Sequence, residues 1–415
     1  MQTMTDNALA NALNTNKPGL LVLASTFPRW AKDTEPAFVF ELARRLSAHF
    51  DIHVLAPHTA GAATEERMAG LTVHRFRYAP EKWQTLTYEG GILARLRQNR
   101  LRLALIPTFL LAESCAIRRL LKRHRFAAIH AHWIIPQGLA AALAQCLTRR
   151  PIPMLITSHG GDLYSLRHPL LARLKSGVIH QASALTLVSS PMMAEARRLG
   201  ANPNAIRIIP MGVDFHQRFH PNPQTRRRPG QLLFAGRLVE KKGVAYLLYA
   251  LPEVIRQRPD VRLTLIGTGP DADRLHRLSQ ELKLADHVQF LDACPQQQLA
   301  AHYQQASLFI APFVQAQNGD REGLGLVTIE AIACGCPVLV GNLPVLDDIF
   351  SPAEQALRID PKDTARFAAR ILQQLNQPHA AQQQAEALRQ RLMRKFDWER
   401  VAQAYAEWIN VWIAQ

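Results

Sequence analysis

The sequence predicts an α/β protein built from doubly wound parallel sheets in two consecutive halves. Three observations carry that expectation. Short apolar runs of strand length alternate with amphipathic segments of helical period along the 415 residues, the pattern of a parallel sheet with covering helices. The alternation pauses at residues 221–230, rich in Pro, Arg and Gly, which read as an interdomain linker, and then starts again. The loops that follow the apolar runs carry Gly, His and cations, and in such sheets ligands sit outside the carboxyl ends of the strands.

In the first half, residues 19–25 are apolar and bounded by Pro18 and Pro28, typical of a buried strand. A helix is expected over 37–48, and strands over 52–56 and 71–77, the last from alternating Leu71, Val73 and Phe76. The loop 25–36 is long and polar enough to reach a ligand. Residues 92–121 read as helical, with Pro107 expected to break the helix into two basic pieces. Further strands are expected at 127–132, 153–158, 185–189 and 207–210. His130 and His132 share one strand face, but a metal there would need a third ligand, and none is close in sequence. The loop His159-Gly160-Gly161-Asp162 leaves room for a ligand beside His159; an ordinary turn is the other reading.

The second half opens with a strand at 231–235. Gly236 and Arg237 follow it, with Lys241, Lys242 and Gly243 leading into a helix at 244–257. Cations beside a helix start suit a diphosphate. A strand at 261–266 ends in Gly267-Thr268-Gly269-Pro270, whose glycines let a ligand approach the backbone, although the motif is short of a full dinucleotide fingerprint. Asp271 and Asp273 read as helix N-terminal charge. Strands follow at 288–291 and 308–311. The next loop carries Glu322, Gly323, Leu324 and Gly325 and feeds a helix near Leu326 that holds Glu330. Two carboxylates eight residues apart fit the vicinal hydroxyls of a sugar or ribose; they also fit an ordinary helix start. Residues 398–413 carry Val401, Tyr405, Trp408, Ile409 and Trp412 at helical spacing, a packing stripe.

Composition narrows the class. Nearly half the residues are apolar, so the chain is globular. Five scattered cysteines argue for a reducing compartment rather than a disulfide framework, and the Cys334-Gly335-Cys336 turn reads as two small buried thiols rather than a metal site. No basic leader precedes the first apolar run, so no signal peptide is expected, and no apolar run approaches the ~20 residues that span a bilayer. The net charge of +16 is uneven: residues 1–225 hold 27 Lys/Arg against 13 Asp/Glu, and the rest 22 against 20. Within 94–125 nine basic residues face one acidic one. That strip reads as a face for anionic lipid or as a solvated helix surface. Nucleic-acid binding would account for the charge but not for the glycine loops or the paired glutamates.

Six motifs in order then carry a likeness. Residues 129–133 (Ile-His-Ala-His-Trp), His159-Gly-x-Asp162, Met211-Gly-Val-Asp214, Gly236-Arg237 with Lys242-Gly243, Gly267-x-Gly269-Pro270, and Glu322-Gly-Leu with Glu330-Ala together resemble the retaining glycosyltransferases of family 4, from about residue 20 to the C-terminus. The resemblance implies the GT-B fold: two facing Rossmann-like domains, here 1–222 for the acceptor and 223–395 for a nucleotide-sugar donor, with a C-terminal helix, 396–415, crossing back. It implies that Arg237 and Lys242 grip the donor diphosphate. By the same likeness Gly267 and Gly269 lie in the donor site, and backbone N–H groups around Gly323, Leu324 and Gly325 meet sugar and phosphate. Glu322 would hold hydroxyls of the transferred sugar and Glu330 those of the ribose, while His159 would stabilise the transition state without acting as a nucleophile. Three stretches depart from the family pattern: Thr34-Glu35-Pro36-Ala37 where glycines are usual, Gly325 where a proline is usual, and Gly341-Asn342-Leu343-Pro344 after the strand at 337–340.

The expected function is transfer of a hexose-type sugar from a UDP- or GDP-sugar to a glycan or lipid-linked acceptor at the cytoplasmic membrane face. No cofactor or metal, and no nucleic-acid partner, is expected. The alternatives are an inverting enzyme of the same fold, with its base among His159, Asp162 and Glu35, and a non-catalytic relative acting as a partner protein.

Overall fold

A computed structural model describes residues 17–30, 33, 38–88, 91–146, 148, 150–165, 168–317 and 319–414. The Thr34–Ala37 departure, the candidate base Glu35 and part of the first loop lie outside them. The described chain packs as two compact units.

The first unit holds β1 (Gly19–Leu23), β2 (Asp51–Pro57), β3 (Glu65–Met68), β4 (Leu71–Phe76), β5 (Ala128–His132), β6 (Met154–Ser158), β7 (Ala184–Leu187) and β8 (Ile206–Ile208). Their order across the sheet is β3-β4-β2-β1-β5-β6-β7-β8. All neighbours are parallel except the β3–β4 pair. The central strands are buried along their length, as strands covered on both faces must be. The helix Phe38–Leu46 explains its own docking: Val39, Leu42, Ala43 and Leu46 recur at helical spacing and are buried, together with Glu41, which pairs with Arg44 and Arg45.

The second unit holds β9 (Gln231–Ala235), β10 (Arg262–Ile266), β11 (Val288–Leu291), β12 (Leu308–Ala311), β13 (Val338–Gly341) and β14 (Arg358–Ile359), all parallel, in the order β11-β10-β9-β12-β13-β14. One face packs Leu232, Phe234, Leu263, Leu265, Leu308 and Ile310 against the helices Val244–Gln257 and Thr364–Asn376. In both units the chain runs outward from a central strand, then jumps back to that strand's other side, between β1 and β5 and between β9 and β12. Such reversals open crevices at the carboxyl ends of the strands, where doubly wound sheets bind ligands.

Several expectations are corrected. The helical stretch breaks at Asn99, whose extended backbone ends the helix Ile92–Gln98. Pro107 is instead the third residue of the helix Leu105–Arg123, where a missing N–H breaks no helical bond. The edge strand β3 was not anticipated, because Glu65-Glu66-Arg67-Met68 lacks apolar alternation. Residues 221–230 do not behave as a loose linker: the Arg227 guanidinium donates to the carbonyls of Tyr303, Gln304, Ala306 and Cys334 and to Gln382. By packing, the second unit is formed by Ser189–Pro191 and Pro210–Arg400. Val401–Ala414 pack as part of the first unit, where Tyr405 donates to the carbonyl of Ile209 and lies against His130.

Candidate active site

In the second unit three loops at the carboxyl edge are pressed backbone to backbone. The peptide after β10 crosses the peptide after β9 so closely that a Cβ on Gly267 would stand 2.1 Å from the carbonyl oxygen of Gly236, and one on Gly269 would stand 2.2 Å from that of Leu238. Gly243, at φ +69°, meets the carbonyl of Pro312 after β12 in the same way. Hydrogen bonds from Gly236 N to Ile266 O, Leu238 N to Thr268 O and Val314 N to Lys241 O lock the contact. The glycines therefore let the cation-bearing turn, Glu240–Lys242, lie directly over the β9–β12 crevice.

Lys242 occupies the middle of this assembly. Its ammonium lies 2.8 Å from Glu322 Oε2, both side chains largely buried, and 4.5 Å from the ring centre of Phe313, a cation–π contact. Lys241 pairs with Asp320 at 3.2 Å and donates to the carbonyl of Arg321. Burial alone would push the Glu322 carboxyl up; the neighbouring charges of Lys242 and then Lys241 outweigh it and hold the group down to about 2. Arg237 sits half-buried directly after Gly236.

Glu330 lies in the second turn of the helix Leu326–Ala333, which starts from Gly325 at φ +81° without a side-chain cap. Its Oε2 accepts from the Tyr303 hydroxyl at 3.2 Å. Here burial wins, lifting the carboxyl to about 7 against the opposing effects of Tyr303, Arg218 and Lys242. The two glutamates are thus different chemical groups: a fixed anion, and an acid that carries its proton through mildly acidic conditions. Cys334 and Cys336 behind this helix are buried free thiols, with Cys336 pushed up to about 11 by burial. Tyr303 and Phe313 were not singled out in the sequence; each contacts its partner across more than twenty residues, and only an aromatic just after a strand hinted at Phe313.

In the first unit His159 follows β6, and its Nε2 lies 3.0 Å from Nδ1 of His132. His132 stacks on it at 5.3 Å, while Phe38 and Trp133 flank it at 4.9 and 5.0 Å between ring centres. His130 lies behind and meets Thr157 Oγ1 at 2.8 Å. Burial depresses all three imidazoles, His130 to about 4 and His159 to about 3, so they are neutral at physiological pH. The third residue beside the His130/His132 pair is therefore His159, contributed by the next strand's loop. Asp162 has its carboxylate committed: it accepts from Ile134 N at 2.7 Å, Ser158 Oγ at 2.8 Å and His159 N at 3.2 Å. It orients His159. Lys175, buried beside it, donates to the carbonyls of Leu163 and Ser165.

Comparison with known proteins bears directly on this arrangement. The family model described as Glycosyltransferase Family 4 matches residues 37–217, and that described as Glycosyl transferases group 1 matches residues 216–391. A glycogen synthase of Mycobacterium tuberculosis is 30% identical over 290 residues, which cover 67% of each chain. The chain belongs to glycosyltransferase family 4. Another family 4 relative is the GDP-mannose-dependent alpha-(1-6)-phosphatidylinositol monomannoside mannosyltransferase of Mycolicibacterium smegmatis, 28% identical over 71% of this chain and 79% of that one. Among solved structures, the sucrose-phosphate synthase of Thermosynechococcus elongatus superposes with a TM-score of 0.78 at 21% identity, covering 96% of this chain and 100% of that one. Anabaena HepE, in complex with UDP and glucose, superposes at 0.71 and 16% identity over 95% and 100%. At these identities the structures show the shared fold, a pair of Rossmann-like sheets of the GT-B class. The chain is a glycosyltransferase of this family.

Proposed function

We propose that this glycosyltransferase is a retaining enzyme. It moves a hexose-type sugar from a UDP- or GDP-sugar to a glycan or lipid-linked acceptor. The observation that carries the reading is the Lys242–Glu322 pair set over the β9–β12 crevice, with Glu330 beneath it. Departure of a nucleoside diphosphate concentrates negative charge on its phosphates, and fixed cations there stabilise the transition state. Lys242 and Arg237 take that role, helped by the backbone N–H groups of Gly323, Leu324 and Gly325 at the uncapped start of the helix Leu326–Ala333. Gly267 and Gly269 keep the second wall of the donor site at backbone height. Glu322, already ionised, accepts from hydroxyls of the transferred sugar; Glu330 accepts from the ribose. These cations make a metal dispensable for the leaving group.

His159 is neutral, its backbone held by Asp162 and its ring against His132, so it acts as a hydrogen-bonding group rather than a nucleophile. Of the bases an inverting reaction would draw on, Asp162 is already saturated by three donors, which favours same-face displacement assisted by the leaving phosphate. Contact with an anionic membrane at its cytoplasmic face is supported by the first unit's surface, where Leu101, Leu103 and Leu111 stand exposed among the exposed Arg97, Arg100, Lys122 and Arg123. Among the described residues no helix is long and apolar enough to cross a membrane. The relatives fit both donor options: one is named as GDP-mannose-dependent and acts on a phosphatidylinositol monomannoside, and HepE is solved in complex with UDP-glucose.

The test is a thermal-shift screen of UDP-, GDP- and ADP-sugars, followed by NMR of the product's anomeric centre. A stabilising donor and a retained anomer are expected. No stabilisation by any nucleotide sugar would overturn the reading, and an inverted product would make the enzyme an inverting one. Salt-sensitive binding to anionic liposomes tests the membrane contact, and indifference to lipid charge would remove it.

A further inference from the structure

At the amino-terminal end of the first sheet, away from the loops described above, three histidines converge. His53 comes from β2, His74 from β4, and His124 follows the helix Leu105–Arg123. One ring nitrogen from each lies within 4.8 Å of the others. His53 Nδ1 and His74 Nε2 approach to 3.0 Å, and the His53 and His124 rings are 4.5 Å apart between centres. Among the described residues this is the one group of three ligating side chains so gathered; His130, His132 and His159 do not form one.

The outer nitrogens decide the chemistry. His53 Nε2 faces the Asp51 carboxylate at 3.7 Å, and His74 Nδ1 faces that of Glu65 at 3.5 Å. A carboxylate favours the N–H on the nitrogen that faces it. With both rings in that tautomer the inner nitrogens present lone pairs to each other at 3.0 Å, and a cation bound by both relieves the repulsion; with the other tautomer on one ring the same contact is a hydrogen bond. Carboxylate, imidazole and cation in that order is the usual outer shell of a histidine metal site, where the carboxylate fixes the tautomer and raises ligand basicity. Zinc–nitrogen bonds of about 2.0–2.1 Å in a tetrahedron place ligand nitrogens about 3.3 Å apart; the His53–His74 pair is close to that at 3.0 Å, and His124 lies within 4.8 Å of both. Arg123 opposes positive charge at His74, and Asp51 and Glu65 offset it.

We propose that His53, His74 and His124 bind a borderline transition-metal dication of the zinc class, with a fourth position open to water. All-imidazole ligation selects this class over magnesium or calcium. The site is structural: it ties together β2, the edge hairpin through β4, and the end of the basic helix. It is independent of the donor site, where no metal is invoked.

The experiment uses the untagged full chain, titrated with Zn2+ by calorimetry and with Co2+ by visible absorption. One equivalent of zinc, a rise in melting temperature on its addition, and the intense visible bands of tetrahedral cobalt are expected. His124→Ala, at an exposed position, should weaken binding about 100-fold or more, and Glu65→Gln about 10–100-fold, as losses of a ligand and of its carboxylate support. His379→Ala, exposed and elsewhere, should leave binding unchanged. Absence of stoichiometric zinc would reduce the cluster to an imidazole–imidazole hydrogen bond and overturn the proposal. Binding unaffected by His124→Ala would overturn it too, and because that residue is exposed, misfolding does not confound the result.

Discussion

Glu322 and Glu330 share a residue type and a short stretch of chain, yet one is held down to about 2 and the other lifted to about 7. That contrast makes testable statements. If Glu330 accepts from the ribose it must be ionised, so nucleotide affinity should rise between pH 6 and 8, and Glu330→Gln should flatten the profile; calorimetry at several pH values reads this. The same shift acts on stability with a definite sign. A carboxyl whose folded value is raised binds its proton more tightly in the native state, so its contribution falls as pH climbs from 4.5 to about 7, by at most about 3 kcal/mol. Glu330→Gln should therefore gain stability relative to the parent at pH 8 but not at pH 4. For the ion pair, Lys242→Ala strands a largely buried carboxylate and should cost about 3 kcal/mol. Adding Glu322→Gln should restore melting temperature without restoring transfer, which separates a structural pair from a catalytic one. The glutamates, the cations and His159 stood out as candidates in the sequence because loops after strands are where such folds bind ligands. Tyr303 and Phe313 could not, since their contacts arise only once distant segments close together, and protonation is set by burial that residue order does not display.

At the scale of elements, the strands were legible wherever both faces are covered, because a short continuous apolar run between turn residues suits a buried strand and little else. β3 was not: it pairs on one side only, and its side chains face water enough to be Glu, Glu and Arg. Proline misled for a related reason. Pro107 disrupts a helix interior but not a first turn, and the break falls instead at Asn99, which ends the helix Ile92–Gln98 and caps the short turn Arg100–Ala104. Glycine was the more faithful signal. Gly267→Ala should force the β9 and β10 loops apart, since its Cβ has only 2.1 Å before the Gly236 carbonyl; a loss of about 2–4 kcal/mol together with loss of nucleotide binding is expected by denaturant titration and thermal shift. Gly325 sharpens a departure from the family pattern. Its φ of +81° is closed to proline, so the donor loop enters its helix along a backbone path that the usual residue could not follow.

For the whole molecule, the repeat of one topology was readable from the repeat of the alternation, and both sheets reverse direction beside a central strand. The seam was harder. A stretch of Pro, Arg and Gly looks like a linker until Arg227 is seen donating to four carbonyls and a glutamine side chain. The C-terminal stripe was read as packing, and Val401, Tyr405 and Ile409 are indeed almost wholly buried. Ending the chain after Arg400 should therefore lower the thermal stability of the first unit and expose apolar surface to a dye such as ANS, although the missing residues lie almost two hundred positions from the rest of that unit.

That helix also sets the order in which the protein can be made. The second unit is complete in sequence by Arg400, whereas the first, begun at the ribosome much earlier, lacks Tyr405 and Ile409 until the helix Trp398–Ile413 has emerged. The half synthesised first is thus the half that finishes folding last. During translation its β5 surface, with His130 awaiting Tyr405, stays open for the whole time that the second unit takes to be built.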